Sequence, residues 1–297
     1  MNKIKIFFLA LILFTYPLSY LTAQNWNFAP IPGQGGGSFF EEALSSLDRA
    51  FNDNSFTPEE AYYLGRTVAA NILSIYRPYT GNPELTRYLN KIALSIAINS
   101  SQPIFFDGYH VIILDSQEIN AFASPGGHIF LTRGLIEACN SEDMLAAVIA
   151  HEMAHIMLRH GLAIIENMGI SFEMENMASR AAALSGNSLR AQQLTLIRNS
   201  VNASMNALII SGYSQPQEFE ADLEAINLLA ASGYNTGAML ELLLVLQSIQ
   251  SRQRGGYFTT HPTPALRITN VQSALINHRT DNNSNTRIPR FDRYTKP

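Results

Sequence analysis

Cysteine and tryptophan each occur once in this 297-residue chain. A single thiol, Cys139, excludes an internal disulfide, so the fold must rest on its core and on any ion it binds. The setting Leu-Ile-Glu-Ala-Cys-Asn offers Cys139 no adjacent histidine, which favours a packed thiol over a nucleophile. Charge is sparse as well: 15% of residues are charged, the net charge is −4, and no dense Lys/Arg run occurs. Phosphate binding needs a cationic surface, so nucleic acid is excluded as the main partner. Nor is there an internal repeat at a period of about 20–50 residues, which excludes repeat architectures. After the N-terminal segment, apolar runs such as Thr236 to Gln250 fall short of the about 20 residues that cross a bilayer.

What is present is an ordinary globular composition, 46% hydrophobic, with room for a sizeable core. Residues 1–23 have the layout of a secretory signal: Lys3 and Lys5, an apolar run from Ile6 to Phe14, and Ala23 as the cleavage point. Retention as an anchor is the alternative, since Leu18, Tyr20 and Leu21 extend the run. Removing Lys3 and Lys5 leaves 18 basic against 24 acidic residues, a mature charge of 18 − 24 = −6. The Gly/Pro-rich stretch Asn27 to Ser38 reads as a linker within a flexible arm, 24–56. Residues 57–281 then form the main domain, and 282–297 a loose polar tail.

Helix signals open that domain. Thr57, Pro58 and Glu60 make a cap and capping box, with Leu64, Val68, Ile72 and Ile75 as the apolar stripe. Asn82 and Pro83 repeat the device ahead of Leu85, Leu89, Ile92 and Ile96. The period then shifts to β: Val111 to Leu114, and Asn120 to Ala123 joined to His128 to Thr132 through Ser-Pro-Gly-Gly, with Pro125 and Gly126 at the centre of a type II turn. A small, mostly antiparallel sheet is expected. From Ser141 onward the chain reads as helical, including a methionine-containing segment before Gly186 that could cover the site and an amphipathic helix with Leu194, Ile197, Val201, Met205 and Leu208 on one face.

Chemistry concentrates in Ala146 to Gly161, where His151, Glu152 and His155 interrupt an apolar helix. Residues four apart on a helix face the same way, so His151 and His155 can direct imidazole nitrogens at one zinc ion. Glu152, rotated by about 100°, lies beside the metal and can take a proton from water. Chance produces this pattern in a chain of this length at a level on the order of 1%, so a ligand pair outweighs two core histidines. A catalytic zinc takes three protein ligands, and Gln215 to Ala231 offers candidates for the third. Glu218 and Asp222 share one face, Glu220 and Glu224 another; spacing favours Glu218 as ligand and Asp222 as acceptor for a zinc-bound histidine, but only slightly.

His151-Glu152-Met-Ala-His155 followed by Glu218-Phe-Glu-Ala-Asp222 resembles the gluzincin metallopeptidase family forty-eight, whose branches include the CAAX prenyl protease, HtpX and the periplasmic BepA-type proteases. Asn120 to Ile136 is similar to that family's Asn-Ala-Phe-Ala and Pro-Gly-Gly hairpin, and Thr260 to Ile268 to its late His-Pro…Arg-Ile segment. One departure is Gln215-Pro216, where relatives often carry an arginine. The resemblance runs over roughly residues 57–278. It implies an α+β, mainly helical, zincin-like domain and one Zn2+ per chain on His151, His155 and Glu218, with Asp222 supporting the site. Among the branches, the BepA type without its tetratricopeptide repeats fits best.

The resemblance also puts His261 near the metal, as a resting-state ligand or oxyanion stabiliser; a hydrogen-bonded loop histidine is an equal reading. His128, Ile129 and Phe130 are expected to pair with an extended substrate backbone, and His110, His160 and His278 to be structural or surface residues. The implied function is a zinc metalloendopeptidase with Glu152 as acid/base, exported to the periplasm, acting on unfolded or misassembled envelope proteins and open to peripheral association with the outer membrane. Two rivals stand: a non-catalytic, chaperone-like envelope protein with a zinc-stabilised fold, and a metallohydrolase acting on a non-peptide bond.

Overall fold

The computed structural model describes residues 58–103, 106–167, 212–250, 256–261, 264–276, 278 and 286–296. The expected leader, the arm, Thr57 of the capping box, the methionine-containing segment and residues 188–211 of the amphipathic helix lie outside them.

Helices α1 (Pro58–Ile75) and α2 (Pro83–Ala97) precede a sheet of β1 (His110–Leu114), β2 (Ala121–Ser124) and β3 (His128–Thr132). Then follow α3 (Arg133–Ala138), α4 (Glu142–Met157), α5 (His160–Asn167), α6 (Gln215–Ala231), α7 (Ala238–Gln250), α8 (Tyr257–Thr260), α9 (Pro264–Leu275) and α10 (Arg287–Thr295). The chain is α+β and mainly helical.

The strand order is β1-β3-β2, with β1 parallel and β2 antiparallel to β3. The sheet is therefore mixed rather than mostly antiparallel. The hairpin itself forms as its turn residues require, with Gly126 at φ 88°, open to glycine and strained for other residues. What its local sequence does not specify is the third strand, which joins the far side of β3 in register His110 with His128. The outer side of β1 is held in turn by Asn90 of α2, whose amide donates to the Val111 carbonyl (2.8 Å) and accepts from its N–H (2.9 Å).

Alternation along the strands feeds two cores. Val111, Ile113, Ala121, Ala123, Ile129 and Leu131 join the main core with α2, α4, α6 and α7. Leu114, Phe122 and Phe130 face a smaller one, closed by Val68, Ala69 and Ile72 of α1 and by Tyr213. Burying each large side chain contributes roughly 1.5–3 kcal/mol. Ile75, expected on the apolar stripe of α1, is exposed.

Helix α4 runs through the centre and is buried along its whole length. Ser141 caps it, its Oγ accepting from the Met144 N–H at 3.2 Å, and Glu142 and Asp143 sit at the positive end of the helix dipole. The helix ends earlier than the sequence suggests: Arg159 adopts φ 59°, and His160 starts α5 instead of finishing α4.

The expected loose tail also needs correction. Residues 287–295 form α10, because Phe291 is buried in the main core and two arginines reach the first turn of α4. Arg290 Nε donates to Glu142 at 2.5 Å and Arg287 Nη1 to Asp143 at 2.5 Å. Cys139 packs as a buried thiol, its pKa pushed up to about 12 by burial.

Candidate metal centre

Three elements converge on one buried point. His151 and His155, one turn apart on α4, turn Nε2 atoms toward each other at 3.1 Å. Glu218, in the first turn of α6, sets Oε1 3.3 Å from His155 Nε2 and Oε2 3.5 Å from His151 Nε2. His261, at the end of α8, brings Nδ1 to 2.8 Å from Glu218 Oε1. The donor atoms of these four residues lie within 4.8 Å of one another, all on buried side chains. In a tetrahedral zinc site with bonds of about 2.0–2.1 Å, donors stand roughly 3.3–3.4 Å apart. The separations among His151, His155 and Glu218 match that spacing, and two imidazoles with a carboxylate are a donor set zinc accepts.

Outer partners orient each donor. His151 Nδ1 faces Asp222 Oδ1 at 3.1 Å, which points Nε2 into the cluster. Arg267 of α9, fully buried, holds Asp222 through Nε (2.8 Å) and Nη2 (2.6 Å), and its Nη1 lies 2.8 Å from Glu218 Oε2 and 3.0 Å from Tyr257 Oη. The Tyr213 ring stacks on His155 with centroids 3.7 Å apart and planes 12° from parallel. Gly212, at φ 67°, lets it do so: a Cβ there would fall 2.0 Å from the Thr260 carbonyl oxygen. Tyr257 stacks on His261 at 4.3 Å.

Burial and the Arg267 charge push His151 down, but hydrogen bonds to Asp222 and Glu218 outweigh them and hold it up at about 9. The same carboxylates that favour a proton there favour a metal cation. Burial drives His155 well below its ordinary value and keeps it neutral, the state a ligand needs. Burial alone would raise Glu218 and Asp222; charge on His261 and Arg267 overcomes it at Glu218, and Arg267 overcomes it at Asp222, so both stay anionic. Burial lowers His160, while Glu220 pulls the other way.

Glu152 differs from all of these. Both its carboxylate oxygens are buried without a hydrogen-bond partner, and Oε1 lies 3.6 Å from His261 Nε2. Burial raises its pKa, the direction that suits a group exchanging protons near neutrality.

Residues 81–275 match the model of Peptidase family M48. The chain belongs to that family. The M48 match contains the whole cluster and leaves α1 and α10 outside. The chain is 26% identical over 198 residues to the beta-barrel assembly-enhancing protease of Escherichia coli (strain K12), covering 66% of this chain and 40% of the relative. It is 26% identical over 258 residues to the mitochondrial metalloendopeptidase OMA1 of Schizosaccharomyces pombe (84% and 72% covered). To the metalloprotease LoiP of Escherichia coli (strain K12) it is 25% identical over 233 residues (78% and 87%). The chain thus spans about 40% of the length of the beta-barrel assembly-enhancing proteases it matches.

The structure brings His151, His155, Glu218, Asp222, Glu152 and His261 together. It does not do so for the expected substrate strand. β3 is the inner strand, paired on both sides, and Ile129 and Phe130 are fully buried, one in each core. With no free edge, His128 to Phe130 cannot take up an extended peptide; among the described residues β1 and β2 each have one strand neighbour, and the outer side of β1 is met by Asn90. His128 instead lies beside Tyr62 and His110. Four residues at the site escaped sequence reasoning in these roles: Arg267, Tyr213, His160 and Glu220. Arg267 left a trace, as a cation among the apolar residues of Pro-Ala-Leu-Arg-Ile, and Glu220 another, as the less favoured candidate for the third ligand.

Proposed function

We propose that this chain is a zinc-dependent metalloendopeptidase, with one ion held by His151, His155 and Glu218 and with Glu152 as general acid/base. The observation that carries the reading is Glu152 itself. An ionisable carboxylate with two unpartnered oxygens is costly to bury, and a proton-transfer role at the adjacent cluster supports keeping it there. The zinc ion would supply Lewis-acid polarisation of the scissile carbonyl and lower the pKa of water at the site to about 7. Glu152 accepts a proton from that water and delivers it to the leaving amine nitrogen. His261, within reach of both Glu152 and Glu218, is placed to donate toward developing negative charge on the carbonyl oxygen.

Substrates are polypeptides. The edge strand β2 supports backbone pairing as the mode of capture, since Ala121, Phe122 and Ala123 line a cavity with Tyr213 and His261. Pairing of that kind demands little of the sequence, which suits unfolded chains. Relatives named for enhancing β-barrel assembly support exported envelope proteins as the natural class and the periplasm as the location, with quality control as the role. No helix among the described residues is long and apolar enough to cross a membrane. The chaperone-like alternative leaves Glu152 without a purpose.

Glu152→Gln tests the reading. The variant is expected to keep one zinc per chain by elemental analysis and to lose at least about 100-fold in cleavage of an unfolded polypeptide such as casein. Undiminished cleavage would remove Glu152 from the chemistry.

A further inference from the structure

His155 offers its two ring nitrogens to different neighbours. Nε2 looks into the cluster, while Nδ1 lies 2.9 Å from Nδ1 of His160. Two imidazole nitrogens can share a hydrogen bond only if one carries the hydrogen and the other a lone pair. The far side of His160 decides which: its Nε2 lies 3.1 Å from Glu220 Oε2, and an ionised carboxylate only accepts. His160 therefore donates from Nε2 and presents a lone pair at Nδ1. That lone pair accepts the Nδ1 hydrogen of His155 and leaves His155 Nε2 free to bind a cation. Stacked Tyr213 fixes the plane of the His155 ring but is indifferent to which nitrogen carries the hydrogen.

The backbone builds this contact at a cost. On an unbroken helix, residues five apart point about 140° away from each other. Helix α4 breaks at Leu158, and Arg159 takes a left-handed conformation that is unfavourable for a residue with a side chain, which swings the buried His160 back onto His155. Glu220 meets it from α6 because it sits two residues after Glu218, on the flank of the helix rather than in the cluster. His151 has a different arrangement: its acceptor, Asp222, is buried and held by Arg267. The His155 chain ends at a carboxylate with 63% of its side chain exposed.

We propose that His160 and Glu220 are positioning residues that hold His155 with its hydrogen on Nδ1 and so prepare Nε2 as a metal ligand. The inference rests on the metallopeptidase reading of this site. Neither residue touches substrate or metal; they act through His155.

The experiment measures zinc affinity of the full chain by chelator competition, with thermal unfolding of the metal-free protein as the check on folding. His160→Phe keeps ring volume and removes the acceptor, and is expected to bind zinc 10–100-fold more weakly. His160→Asn returns an oxygen close to the lost Nδ1 and is expected to recover most of that loss. Glu220→Ala, at an exposed carboxylate, keeps the fold and weakens binding severalfold. Wild-type affinity in both His160→Phe and Glu220→Ala overturns the proposal. So does equal weakness of His160→Phe and His160→Asn, which would make the contact one of packing alone. If wild-type protein binds no zinc, the metallopeptidase reading fails and takes this inference with it; tight wild-type binding with unaffected variants sinks the inference alone.

Discussion

Arg267 holds Asp222 with two parallel hydrogen bonds, Nε to Oδ2 at 2.8 Å and Nη2 to Oδ1 at 2.6 Å, in a place neither side chain shares with solvent. The fork geometry fixes the carboxylate plane, and with it the atom that faces His151. The pair thus links the stability of the core to the orientation of a metal ligand.

Removing the guanidinium leaves Asp222 and Glu218 as neighbouring buried anions. Breaking a buried ion pair from one side costs about 3–5 kcal/mol. Arg267→Met, similar in bulk, is expected to destabilise the metal-free protein by that amount in urea unfolding. An unchanged midpoint would mean the pair contributes nothing net.

Gly65 is where α1 meets the β2–β3 turn. A Cβ at this position would lie 1.3 Å from the Pro125 carbonyl oxygen, and that oxygen belongs to backbone that cannot swing aside. Gly65→Ala is expected to cost about 3 kcal/mol or more as α1 lifts off the sheet. Zinc affinity, set by α4 and α6, should stay close to wild type. Circular dichroism melting and chelator competition on the same preparation check both halves.

His128 sets an acid limb to stability. Burial, aided by the nearby His110 and opposed by Asp107, lowers its pKa to about 4. The unfolded chain then binds the proton more readily, so stability is fully present above pH ~6.5, falls as pH drops through the window to about 4, and is flat in this contribution below it. The full contribution is at most about 3–4 kcal/mol, at ~1.4 kcal/mol per pKa unit. His128→Phe removes the titration and should flatten the dependence between pH 7 and pH 4.5, measured by chemical unfolding at each pH.

Much of the site was legible because its donors obey helix period. His151 and His155, and Glu218 and Asp222, are each four apart, and a turn of helix puts such pairs on one face wherever the helix goes. Spacing favoured Glu218 over Glu220 only slightly, and the fold uses both: one in the cluster, the other on His160. His160 was hidden by a helix break that depends on one left-handed residue, Arg159, which carries no glycine signal. The hairpin was readable from Pro125 and Gly126, but that β3 has no open edge depended on β1, whose pairing is not local. The same holds for α10: one buried phenylalanine and two arginines make a weak pattern until Glu142 and Asp143 are in place opposite them.

That last contact has a bearing on biosynthesis. Glu142 and Arg290 are 148 positions apart, so when the ribosome has made the helix bearing both histidines, the cation for its first carboxylate does not yet exist. At roughly 5–20 residues per second, the wait lasts about 7–30 s. Throughout that interval the hydroxyls of Tyr88 and Tyr234 are the native partners Glu142 can have, and only the second of them also comes late. Seating of the histidine helix is therefore completed only after α10 has been made, which postpones a finished proteolytic centre well beyond the synthesis of the helix itself.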